Sequence, residues 1–164
     1  MLAEDTMRLD RFCGHEVYRV VRTGVYVRLP EEDDPRVMLN VEFHCGAVVD
    51  IDVPEEEGDG SLKPTVEIWI PIPSTNLSPL VGTSLEVHPS VKDNEDGMWN
   101  RLHVYESGDL REINVTFVAI DDGRCHVALT AKTGDPNHYD GSKPETTISL
   151  DGWFPMDELE TATE

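Results

Sequence analysis

Over most of its readable length the chain alternates apolar and polar positions with a period of two, the spacing of a strand with one face in a core. In VMLNVEFHC, Val37, Leu39, Val41, Phe43 and Cys45 fall on one face, with Met38, Asn40, Glu42 and His44 on the other. Gly46 marks a bulge or bend, after which Val49, Ile51 and Val53 resume the alternation. TVEIWIPI repeats it through Val66, Ile68, Ile70 and Ile72. Pro71 and Pro73 lack an amide hydrogen, which places a strand end or a sheet edge there. Residues 3 to 12 depart from this pattern: Leu9 and Phe12 are spaced as helix anchors and predict a short N-terminal helix.

In the C-terminal third the turns test the strands. EINVTFVAI and RCHVALTAK flank Asp121, Asp122 and Gly123, and the loop length decides which side chains oppose each other. A two-residue turn mixes apolar and polar faces. A three-residue loop with Gly123 left-handed opposes Phe117 with Val127, Val115 with Leu129 and Ile113 with Ala131, and is the predicted register. A four-residue loop from Ser107 to Leu110 then opposes Leu102 with Val115, at the expense of setting Asn100 against Phe117. With ETTISLD as a fourth strand, residues 98 to 151 read as a meander. The expected fold is all-β: one domain over 1–164, a two-sheet antiparallel β-sandwich with a β-barrel as the alternative.

Composition narrows the function. At 164 residues the chain can bury a core without staples, and its three cysteines, Cys13, Cys45 and Cys125, have no CxxC spacing for a zinc knuckle. With 33 acidic and 13 basic residues the formal charge is -20, which opposes direct nucleic-acid binding and anionic membranes. MLAEDTMRLD carries no signal-like apolar stretch and no later run is long enough to span a bilayer, so the expectation is a soluble, cytoplasmic protein. Acidic loops lie near 31–35, 55–60 and 92–97 and read as solvated connections.

GDPNHYDGSKPE, at 134–145, offers Asp135, Asn137, Asp140 and Glu145 as oxygen ligands, a weak calcium candidate. Counted from Asp135, Gly141 and Glu145 miss the EF-hand positions, and Asp-Pro, Asp-Gly and Lys-Pro suffice to make the segment a turn. No hydrolase elbow, HExxH, Walker or dinucleotide motif is present, and no cofactor is implied. The chosen registers align Trp99, Arg101, His103 and Tyr105 on the outward face of one strand, with His126 two strands away. Flat rings and a guanidinium in a row suit a binding surface. The expected function is therefore a non-enzymatic binding or interaction module for a protein or small ligand. An acidic inhibitor of a basic toxin or nuclease and a calcium-dependent module are the alternatives.

Overall fold

The computed structural model describes residues 5–30, 32, 35–61, 63–73, 81–87, 100–103, 107–121, 123–136, 138, 141–155 and 160–162. Eleven strands follow in order: β1 (Thr6–Arg11), β2 (Gly14–Arg28), β3 (Val37–Asp52), β4 (Thr65–Ile72), β5 (Thr83–Val87), β6 (Arg101–His103), β7 (Ser107–Asp109), β8 (Arg111–Asp121), β9 (Arg124–Thr133), β10 (Thr146–Pro155) and β11 (Glu160–Ala162). A 3-10 turn, Glu55–Glu57, follows β3. No helix among the described residues is long and apolar enough to cross a membrane.

All eleven strands belong to one sheet, ordered β5-β8-β9-β10-β1-β2-β3-β4-β6-β7, with β11 added in parallel to β2. A two-sheet arrangement is therefore not seen. The sheet curls into a half-barrel, with which the barrel-like alternative is compatible. The curl is visible in one contact: Phe43 on β3 and Phe154 on β10 meet edge to face at 5.5 Å, although β1 and β2 lie between their strands. The inward side chains of every long strand thus share one apolar core.

Residues 6–11 form a strand, not the expected helix. Met7 and Leu9 alternate with Arg8 and Asp10, and β1 pairs with both β10 and β2, so a hairpin ladder on one side and a long-range ladder on the other override a weak local helical spacing. The meander is also corrected. β9 and β10 pair as expected, but the neighbour of β8 is β5, with Leu85 opposite Val115, and β6 folds onto β4 and β7 instead. Asn100 shows why: rather than facing Phe117, its Oδ1 accepts the backbone N–H of Trp69. The buried Asn100 side chain thereby satisfies an amide beyond the short β6 ladder instead of facing Phe117.

Phe117 does oppose Val127, and both are buried. The turn itself differs, because Asp121 pairs with Arg124 and leaves two residues between them. The extra residue is absorbed by a bulge between Phe117 and Ala119, which leaves Val118 exposed and restores the apolar register. Bulges also explain β2. Glu16, Tyr18 and Val20 face inward, but so do Thr23, Val25 and Val27, a change of phase across the irregular pairing between Val20 and Arg22. On β3 the same irregularity leaves Val48 packed on the core and Val49 exposed, correcting the expected inward Val49. On the other face of β3 and β4, Met38, Asn40, Glu67 and Trp69 are buried too, so these strands are not half-exposed as their alternation suggests.

Candidate functional site

The expected strip of Trp99, Arg101, His103 and Tyr105 does not assemble beside His126. Trp99 and Tyr105 lie outside the described residues. Arg101 donates from Nε to Glu67 at 2.9 Å, and His103 is exposed on β6. His126 is on β9, with β10, β1, β2, β3 and β4 between the two strands. Its Nε2 meets Asp151 at 2.9 Å and its ring tilts against Trp153 at 5.2 Å.

Next to that pair, the outward faces of β8, β9, β10 and β1 form a shallow groove of about 290 Å³. The register builds it row by row. Asn114 lies opposite Thr130, Thr130 opposite Ser149 and Ser149 opposite Arg8. In the adjoining row Thr116 faces Ala128 and Ala128 faces Asp151. Small side chains at 128, 130 and 149 leave the depression, while Arg8, Asn114 and Asp151 supply a donor, an amide and an acceptor at its borders.

A second constellation closes one end of the core. Arg11 continues the inward phase of Met7 and Leu9, and Glu16, its neighbour across the hairpin, sits opposite Leu9 on the same side. The Arg11, Glu16 and Asp135 side chains are completely buried. Arg11 donates to Asp135 from Nε and Nη2, each at 2.8 Å, and from Nη1 to Glu16 at 2.9 Å and to the carbonyl of Glu57 at 2.7 Å. Thr146 adds a hydrogen bond to Asp135 at 2.9 Å, and the Tyr18 hydroxyl donates to Glu16 at 2.6 Å. Burial by itself would lower the pKa of Arg11. The hydrogen bonds and charges of Asp135 and Glu16 more than reverse this, holding the guanidinium charged beyond its usual range.

The loop that carries Asp135 supplies a further partner. The amide of His138 donates to the carbonyl of Asp135, a turn entered through Pro136, whose fixed φ favours it. His138 Nε2 lies 3.0 Å from Glu57 Oε1, and the Phe12 ring meets the imidazole edge to face at 5.5 Å. One ligand atom from each of Glu57, Asp135 and His138 falls within 4.8 Å of the others. Of the four calcium candidates, Asp135 belongs to this cluster and Glu145 pairs instead with Arg111; Asn137 and Asp140 lie outside the described residues.

Sequence reasoning missed Arg11, Glu16, Glu57 and His138. Glu57 stood in an acidic run read as solvated, yet its side chain is only 18% exposed. The available signal was Arg11 itself: once TMRLDR is taken as a strand, an arginine shares the face of two apolar residues, and a cation there requires a buried acid. Comparison with known protein families, curated proteins and solved structures finds no match. The fold defines an all-β protein built on one curled, largely antiparallel sheet.

Proposed function

We propose that the protein is a non-enzymatic binding module that holds a small, hydroxylated ligand of about the size of a single sugar on the outer sheet face. The groove between Arg8, Asn114, Ser149 and Asp151 carries this reading. Its volume of about 290 Å³ lies at the small end of ligand pockets, and its borders mix donors and acceptors as a polyol requires. The His126 and Trp153 rings, next to Asp151, offer a flat apolar edge of the kind that packs against a sugar ring. Saturation-transfer NMR against a panel of monosaccharides and polyols tests it. Arg8→Ala and Asp151→Ala, both at surface positions, are expected to remove the transfer signal while leaving the melting temperature nearly unchanged. No transfer from any panel member, or transfer unaffected by both substitutions, would reject the groove.

The charge of -20 favours a second reading, an acidic inhibitor that occupies a basic site on a toxin or nuclease. Association steered by charge slows sharply as salt rises, because screening shortens the field to about 8 Å at physiological ionic strength. A captured partner whose on-rate ignores salt would remove that reading.

A further inference from the structure

We infer that Glu57, Asp135 and His138 bind a divalent transition ion of the zinc class, and that the bound ion ties the loop after β9 to the 3-10 turn after β3. The first support is donor chemistry. Two carboxylates and an imidazole bring ligand atoms within 4.8 Å of one another, so that a single ion can touch all three. An imidazole among the ligands selects zinc, cobalt, nickel or copper over calcium and magnesium, which prefer oxygen alone. Three protein ligands leave a coordination position for water.

The second support is charge. Glu16, Glu57 and Asp135 converge on the Arg11 guanidinium, which gathers carboxylate charge at this end of the core. Buried carboxylates are costly unless matched, and a divalent cation held between Glu57 and Asp135 adds positive charge where they converge. The third is preorganisation. Arg11 and Thr146 hold Asp135, the Asp135–His138 turn sets two ligands on one side of the loop, and Phe12 backs the imidazole, itself stacked by Lys143 at 5.3 Å. Such outer partners fix ligand orientation before the metal arrives. Arg11 thus acts as a positioning residue whose guanidinium stays with the carboxylates when the ion binds.

Isothermal titration of the chelator-treated full chain with zinc, cobalt, manganese and calcium salts tests the site, with circular-dichroism melting alongside. Zinc is expected to bind one per chain and raise the melting temperature, and cobalt to give visible ligand-field bands. Calcium should bind more weakly than either. His138→Ala and Glu57→Gln, at partly exposed side chains, should each cost at least about tenfold in zinc affinity without unfolding the chain. Absence of zinc binding would overturn the proposal. So would zinc binding that both variants retain, which would locate the ion among the surface carboxylates, and so would a preference for calcium.

Discussion

Arg11 on β1 and Asp135 in the loop after β9 are joined by two parallel hydrogen bonds of 2.8 Å across 124 residues of sequence, with neither side chain reaching solvent. The pair links the first hairpin to the end of β9, and Glu57 brings in the turn after β3. Removing one partner strands the other charge in the interior. Asp135→Ala is expected to cost about 3 to 5 kcal/mol in urea unfolding at neutral pH. Arg11→Met with Asp135→Leu should recover much of that loss, because an apolar pair leaves no orphaned ion. A loss below about 1 kcal/mol for the single substitution would show that the pair is not buried.

Two adjacent residues on β8 have opposite fates, as strand alternation requires. Phe117 is 4% exposed and Val118 is 40% exposed. Phe117→Ala should therefore cost about 3 to 5 kcal/mol, while Val118→Ala stays within about 0.5 kcal/mol. Comparable losses at the two positions would mean that β8 does not hold Phe117 on its inward face.

Gly14 opens β2 with φ of +147°, and a Cβ added there would lie 1.7 Å from the carbonyl oxygen of Asp52. That contact is with backbone and has no rotamer to escape into. Gly14→Ala is expected to lower stability by roughly 2 kcal/mol or more through this clash and the strained dihedral, whereas Gly123→Ala meets only the dihedral strain. Denaturant midpoints of the two variants decide it: a Gly14→Ala midpoint at or above that of Gly123→Ala would contradict the close approach.

The cysteines predict an alkaline limit. Burial pushes the Cys45 thiol up to about 12 and the Cys125 thiol up to about 11. Both folded values lie above the unfolded one, so the native state holds protons that the unfolded chain releases. Stability is full below about pH 9 and falls as pH rises toward the folded values, by about 1.4 kcal/mol per pH unit for each thiol. Urea midpoints between pH 8 and 10.5 should drop, with a shallower slope in the Cys45→Ala and Cys125→Ala double variant. A thiol reagent at pH 8 should label partly exposed Cys13 first and the other two only on unfolding. Rapid labelling of all three in the folded protein would disprove the burial.

Period-two alternation by itself determined that this chain is all-β, and it identified the inward residues of β4, β9 and the first half of β3, because a strand that keeps its phase writes its buried face directly into the sequence. The Phe117–Val127 register was legible for the same reason: only one pairing makes that face apolar throughout. The strand β2 was not legible, since the change of phase between Val20 and Thr23 destroys the period and a bulge has no reliable local signal. Nor could alternation choose the neighbours of β6 and β8, because apolar faces are interchangeable and only closure of the whole sheet fixes which strand meets which. The groove needed that strand order to bring Arg8 beside Ser149, and the ion network needed it to carry Arg11 to Asp135. Charges so distant in sequence carry no mark of their pairing; burial in a shared, low-dielectric end of the core makes them partners, and tertiary structure alone decides that.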